Sequence, residues 1–196
     1  MRTRDENKQQ LIRKKALEMI VQEGLDGFSM QKLARSATVS PATLYIYYKD
    51  KEDLITRLWM EETRKMTEAT LRDFHPSMGF REGLKVQWIN RARYCMRNPE
   101  NMDFLEQLRH SSLYAKSFRL VGDDFKNSMN QFVTLAIKNK ELVKVPVEVY
   151  WSIAFAPLYN LVKFHIAGTS VGGKKFSFSE KIMVQTLDLV LKALKP

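Results

Sequence analysis

A serine–proline pair at residues 40 and 41 constrains this chain most, because it separates two apolar segments that are each unusually short. Serine before proline is a typical helix start: the serine side chain caps backbone N–H groups, and proline suits the first helical position. The upstream helix must therefore end by about Ala37, and Ser29 can cap its start. The segment from 29 to 54 predicts two consecutive short helices joined by three or four residues, and it reads SMQKLARSATVSPATLYIYYKDKEDL.

A longer helix is predicted upstream, from Arg4 to Glu23, because apolar residues recur there at helical spacing. Gly24 is expected to end it. Downstream, Asp50 is expected to cap a fourth helix, with Asp53 three residues later as in a capping box. This arrangement is typical of a helix-turn-helix, whose second helix can lie in the major groove of DNA.

The outward face of the helix after Pro41 supports this interpretation. Leu44 and Tyr48 are four residues apart and are expected to face inward, which turns Thr43, Ile46 and Tyr47 outward. Isoleucine beside tyrosine is unusual on a solvated face but suits contact with thymine methyls, base edges and phosphates. Lys51, in the first turn of the next helix, is expected to add a phosphate contact.

The remainder of the chain also has helical periodicity, and with only 8 Gly and 6 Pro in 196 residues the fold is expected to be all-α, with about nine helices. The segment 147–167 is apolar on nearly all sides and should kink at Pro157. Ser177 and Glu180 resemble a capping box for the last helix. We expect the last two helices to pair with their copies in a second subunit, with burial in the monomer as the alternative. The apolar stripe of the last helix comprises Met183, Leu187, Val190 and Leu194.

Composition excludes several classes of protein. The net charge of +10 suggests an anionic partner, but residues 1–52 carry only +3 of it, so charge alone does not locate a site. The single cysteine, Cys95, is interpreted as a buried apolar residue, with a redox sensor as the alternative, and it fits a cytoplasmic protein. With no secretory or membrane segment and no catalytic, nucleotide-binding or metal-binding motif, we expect no membrane partner, metal, cofactor or enzyme activity.

The segment GFSMQKLARSATVSPATLYIYYKDKEDLI resembles the tetracycline-repressor-like (TetR) transcriptional regulators, over roughly residues 8–58. The chain departs from that family at Thr38, where glycine is common and a non-glycine residue disfavours left-handed backbone. The resemblance implies a helix-turn-helix DNA-binding domain over 1–52 and an effector-binding and dimerisation domain over 53–196. It implies DNA contacts by Gln31, Thr43, Tyr45, Ile46, Tyr47, Lys49 and Lys51.

The resemblance also implies a homodimeric repressor that leaves a near-palindromic operator when a small-molecule effector binds. The aromatic residues expected to contact the effector are Trp88, Tyr94, Phe104, Phe118, Trp151, Phe155 and Tyr159. A basic run on one predicted helix indicates either an anionic effector or simply a solvated face, and it comprises Arg81, Lys85, Arg91, Arg93 and Arg97. Two other functions stay open: a constitutive dimeric DNA-binding protein without an effector, and an enzyme with an appended DNA-binding segment.

Overall fold

A computed structural model describes residues 2–114 and 123–196, and within these ranges the regular structure is helical, as predicted. Besides the α-helices, these ranges contain one turn of 3-10 helix at Val171–Gly173. An isolated antiparallel β-bridge joins Thr169 and Lys175. The α-helices are α1 Arg2–Gly27, α2 Met30–Ser36, α3 Pro41–Tyr47, α4 Lys51–Thr70, α5 Phe80–Arg97, α6 Pro99–Arg109, α7 Asp123–Lys138, α8 Val147–Ala154, α9 Ala156–Ala167 and α10 Glu180–Ala193.

The chain forms two compact units. Unit 1 comprises residues 1–65 and 98–121, and unit 2 comprises residues 66–97 and 122–196. Helix α4 therefore begins in unit 1 and ends in unit 2, while α6 belongs to unit 1. The division into functional domains at residue 52 stays a prediction.

Unit 1 is built around the apolar stripe of α1. Ile12, Ala16 and Ile20 have no exposed surface, and they share one core with Leu33 of α2 and Leu44 of α3. Helix α6 packs against α1 and contributes to the same core. Near its end α1 is interrupted at Gly24, whose φ of 75° is left-handed and favours glycine. The expected end of the regular helix at Gly24 is thus confirmed, with one further turn leading into α2.

Unit 2 packs α5 against α7 and α9, and α10 against α8 and α9. A glycine allows the close contact between α5 and α7, since a Cβ on Gly83 would lie 2.5 Å from the buried ring of Phe132. The expected kink near Pro157 is a complete break, because α8 ends at Ala154 and α9 begins at Ala156. The indole Nε1 of Trp88 donates to the carbonyl of Ala154 at this break, over 2.8 Å.

Two predictions about the last helix need correction. Its cap is Ser179 and not Ser177: the Ser179 Oγ accepts the N–H of Ile182 at 3.3 Å, and the chain before it is extended. The apolar stripe of α10 is buried inside unit 2, with exposed fractions of 5% or less, so it is core and cannot form a surface between copies. The exposed apolar residue of α10 is instead Leu189, which is 65% exposed.

Candidate nucleic-acid interface

Helices α2 and α3 are each started by a serine, as predicted. The Oγ of Ser29 accepts the N–H of Lys32 at 3.2 Å, and the Oγ of Ser40 accepts the N–H of Thr43 at 3.1 Å. Pro41 occupies the first turn of α3, where the missing N–H costs no helical hydrogen bond. The Ser29 cap fixes the start of α2, and the Ser40 cap defines the end of the turn between α2 and α3 and so fixes the start of α3.

The turn itself has left-handed backbone at a threonine. Thr38 has φ 54°, and its N–H donates to the carbonyl of Arg35 at 3.1 Å. The next N–H, of Val39, donates to the carbonyl of Ala34 at 2.9 Å, which completes a Schellman-type helix end. The turn thus has the geometry that glycine would favour, although a β-branched residue occupies it.

Helix α3 is anchored on one side and exposed on the other. Leu44 and Tyr48 are buried, whereas Tyr45 is 55% exposed and Ile46 is 77% exposed. Pro41 and Ala42 in the first turn are also exposed, and Ala42 lies three and four residues before Tyr45 and Ile46, so these three share the solvent-facing side.

The predicted outward face is therefore rotated. Ile46 points to solvent as expected, but Thr43 and Tyr47 are half-buried at its flank, and the Thr43 hydroxyl lies 2.9 Å from the Ser40 Oγ. Ala42 was missed because its spacing to Tyr45 and Ile46 is the same as that predicted for Thr43, Ile46 and Tyr47, and only packing distinguishes the two faces.

The two predicted lysines differ in their surroundings. Lys49 is exposed, as is Gln31 on α2. Lys51 is half-buried, and its Nζ donates to the carbonyls of Leu25 at 2.7 Å and Phe28 at 2.9 Å. The Lys51 ammonium therefore links the start of α4 to the turn after α1 through two of its three N–H groups, and a phosphate contact would use the third. Its role toward DNA stays a prediction.

The start of α4 is capped by the two expected carboxylates. Asp50 accepts the N–H of Asp53 at 2.8 Å, and Asp53 in return accepts the N–H of Lys49 at 2.9 Å. Burial by itself raises the pKa of the Asp53 carboxyl, but the Lys49 N–H and the Arg57 guanidinium outweigh burial and hold that pKa below its ordinary value. The ionised carboxylate thus stabilises the junction between α3 and α4.

The residues predicted to contact an effector fall into both units. Trp88, Trp151, Phe155 and Tyr159 lie in unit 2 on α5, α8 and α9 and at their junction, and Tyr94 is half-buried on α5. Phe104 belongs instead to the core of unit 1, because α6 packs against α1, so it is not part of the group in unit 2. Phe118 lies outside the described residues.

Neither a reactive thiol at Cys95 nor a cluster of metal-ligand side chains is found in the described parts of the chain. Burial raises the pKa of the Cys95 thiol to about 12, against the opposing charge of Arg91, so the thiol stays protonated and unreactive. No group of three or more His, Cys, Asp or Glu side chains within these parts is arranged to hold a metal ion.

Comparison with known proteins shows which family this chain resembles. Residues 12–58 match the family model described as bacterial regulatory proteins, tetR family. A TetR family transcription regulator from Marinobacter aquaeolei VT8 has the same fold, with a TM-score of 0.83, 26% identity, and coverage of 100% of this chain and 99% of that one. The chain is thus similar to TetR family transcription regulators, in its segment 12–58 and in its fold. The proteins that it resembles are regulators and not enzymes.

Two curated relatives match over shorter segments. An uncharacterized HTH-type transcriptional regulator of Haemophilus influenzae is 33% identical over 90 residues, which are 45% of this chain and 48% of the relative. The fatty acid metabolism regulator protein of Bacillus subtilis is 25% identical over 130 residues, which are 65% of this chain and 66% of the relative. The matched segments thus span about half to two thirds of these relatives. No helix within residues 2–114 and 123–196 has the length and apolarity needed to cross a membrane.

Proposed function

We propose that this protein is a cytoplasmic, homodimeric repressor of the TetR family that binds a near-palindromic operator through α3 and leaves it when a small-molecule effector binds in unit 2. Three parts of this proposal have separate support: the DNA-reading surface, the dimer and the response to an effector. The exposed face of α3 carries the first part, and it is the observation on which the function depends most.

Exposed apolar surface on α3 supports DNA reading. The exposed side chains of Tyr45 and Ile46 do not stabilise the fold, because Leu44 and Tyr48 are the residues that anchor this two-turn helix in the core. In a major groove the same side chains can contact thymine methyl groups and base edges, and the Tyr45 hydroxyl can bond a phosphate or base. Lys49 and Gln31, both predicted to contact DNA, are exposed and carry polar groups that can bond phosphates or base edges.

Exposed apolar residues in unit 2 support the dimer. Leu189 on α10 and Ile166 on α9 are 65% and 43% exposed, on two helices that pack against each other. Val147 and Val149 of α8 are 66% and 41% exposed. Apolar side chains on adjoining helices are typical of a surface covered by a second copy. A two-fold dimer would place one α3 per half-site, about one helical turn of DNA apart.

The continuous helix α4 supports the response to an effector. It starts beside α3 at Lys51 and ends in unit 2 at Thr70. In unit 2 the carbonyls of Thr70 and Arg72 both accept the side-chain amide of Asn90 on α5, at 3.1 and 2.6 Å. A ligand that shifts α5 would therefore move the end of α4, and a change in the separation of the two α3 helices would weaken binding to an operator of fixed spacing.

The DNA-reading part is tested by selecting binding sites from a pool of random double-stranded DNA and then measuring affinities. Ile46→Ser should weaken binding to the selected site by roughly tenfold to a hundredfold, in line with the loss of one specific base contact. Val171→Ser is the matched control, because Val171 is 81% exposed but lies in unit 2. Failure to enrich any sequence, or equal losses in both variants, would contradict DNA reading by α3.

The effector part is tested by screening small molecules for release of the selected DNA. Reciprocity requires that saturating DNA weaken binding of any active compound by the same factor by which the compound weakens DNA binding. A compound that binds equally well with and without DNA would favour the constitutive DNA-binding protein. An operator footprint without two-fold symmetry would contradict the dimer.

A further inference from the structure

Helix α5 carries a buried arginine within a run of otherwise exposed cations. Arg91 is 2% exposed, whereas the other four members of the run are exposed, namely Arg81, Lys85, Arg93 and Arg97. Gln87 lies one helical turn before Arg91 on the same face and is fully buried. Charged residues are almost never fully buried unless they are paired, so the surroundings of Arg91 require an explanation.

One edge of the Arg91 guanidinium has no partner among the described residues. Its Nη1 donates to the Tyr159 hydroxyl at 2.7 Å, and its centre lies 4.5 Å from the ring of Phe155 and 5.3 Å from that of Trp151. Its Nε and Nη2 are buried without a hydrogen-bond acceptor in the described part of the chain. These two nitrogens form one edge of the guanidinium and direct parallel N–H groups to the same side.

Further unpartnered polar atoms belong to the same packing. The amide nitrogen and oxygen of Gln87 and the hydroxyl of Tyr150 are buried and lack partners among the described groups. Tyr150 packs against Phe155, the residue that stacks on Arg91. The ion pairs found in the described chain involve no atom of Arg91. A buried charge without a counter-charge destabilises a fold, so this cluster is better explained by a ligand than by stability.

We propose that the effector of this regulator is an organic monocarboxylate with an apolar body, whose two oxygens pair with the Nε and Nη2 of Arg91. This inference rests on the effector-responsive function proposed above. Two parallel N–H donors match the two oxygens of a carboxylate. One guanidinium balances one negative charge, so a phosphate monoester would bury a second, unbalanced charge. The neighbouring Phe155 and Trp151 rings favour an apolar body.

Trp151 lies where a ligand would enter the site at Arg91. It is 36% exposed, and its ring lies 4.6 Å from the fully buried ring of Phe155, so both rings approach Arg91 from the same side. A carboxylate reaches the guanidinium by displacing the Trp151 indole from its cation–π contact. Gln87, one helical turn before Arg91, and Tyr150, which packs against Phe155, supply further polar groups that can bond the oxygens or a polar substituent of the ligand.

The first experiment needs no ligand. Arg91→Met keeps the length and apolar stem of the side chain and removes the charge, and Arg93→Met is the matched control at an exposed position of α5. If Arg91 is kept for a ligand, the melting temperature of Arg91→Met equals or exceeds that of the wild type, because an unbalanced buried charge is gone. A melting temperature several degrees lower in Arg91→Met alone would show that Arg91 stabilises the fold, and would overturn the proposal.

The second experiment uses defined probes on the full chain. Decanoate and phenylacetate are compared with decanol, decyl phosphate and decylamine by thermal shift and calorimetry. At a concentration about a hundred times Kd, a carboxylate should raise the melting temperature by roughly 5–10 °C. The Arg91→Met variant should bind it at least about tenfold more weakly. The proposal fails if no carboxylate binds the wild type, if decanol binds as well, or if Arg91→Met binds carboxylates unchanged.

The outcome can be separated from that of the proposed function by measuring DNA affinity in the same samples. If a carboxylate binds in an Arg91-dependent way but DNA affinity does not change, the result would support the carboxylate site and contradict effector-controlled release. Conversely, if the same uncharged compound releases both the wild type and Arg91→Met from DNA, the result would support effector control and contradict a carboxylate effector.

Discussion

Replacing Thr38 by glycine should stabilise this protein, although it removes a side chain. Thr38 adopts φ 54° in the turn between α2 and α3, a conformation that is unfavourable for β-branched residues. The turn persists because hydrogen bonds from Thr38 and Val39 to carbonyls of α2, together with the Ser40 cap of α3, determine its geometry. Glycine can make the same backbone hydrogen bonds without the steric conflict.

The size of the effect follows from two opposing terms. Left-handed backbone costs a non-glycine residue about 1–2 kcal/mol. Glycine loses more conformational freedom on folding, which costs roughly 0.5–1 kcal/mol. The Thr38 side chain is exposed, so its removal sacrifices little burial. Thr38→Gly should therefore raise the free energy of unfolding by about 0.5–1 kcal/mol.

The measurement is urea unfolding followed by circular dichroism, with the midpoint and the slope fitted separately. The midpoint should rise with the slope unchanged, which indicates a change in stability alone. Thr38→Ala is the control for loss of the side chain, because alanine keeps the steric conflict and should gain little. Lys140→Gly is a second reference, since Lys140 has φ 58° at the end of α7 and its N–H donates to Ile137 at 3.1 Å in the same way.

The argument from backbone strain would be refuted if Thr38→Gly were no more stable than the wild type, or if Thr38→Ala gained as much. Affinity for the selected DNA site should not change in Thr38→Gly, because the turn geometry is retained. A loss of affinity with unchanged stability would show that the threonine side chain itself contacts DNA.

Three further predictions concern α4 and α10. Lys51→Met should lower the free energy of unfolding by about 1–3 kcal/mol, because two carbonyls lose a charged donor, whereas exposed Lys49→Met should leave urea unfolding unchanged. The pKa of Asp53 is lower in the folded chain, so its contribution to stability is present above the unfolded pKa and is lost as the pH falls through the folded value; Asp53→Asn should flatten the stability profile below about pH 4, and an unchanged profile would contradict this role. Leu189→Glu should give a folded monomer in sedimentation, whereas Leu187→Glu should unfold the chain because Leu187 is 2% exposed; a dimeric Leu189→Glu would place the interface elsewhere.

Local features of this chain could be predicted because their causes are local. Ser29, Ser40 and Asp50 cap helices as expected, since a cap depends on groups within three residues. The core positions of α1 and α2 follow from spacing alone, because one face of a short amphipathic helix must be covered. The helix-turn-helix and the all-α fold were therefore readable from the sequence before any contact between distant residues was known.

Only the tertiary structure decided which surfaces of the later helices are covered. The stripe of α10 with Leu187 has the same pattern whether it faces a second copy or its own unit, and packing against α8 and α9 made it core. Phe104 belongs to unit 1 because α6 folds onto α1, a contact between residues far apart in sequence. Arg91 could not be separated from the exposed basic residues of its own helix by composition or spacing. It is buried because it contacts Trp151, Phe155 and Tyr159, which lie about sixty to seventy positions later in the sequence. Helical periodicity specifies which face of a helix is apolar but not the partner that covers it.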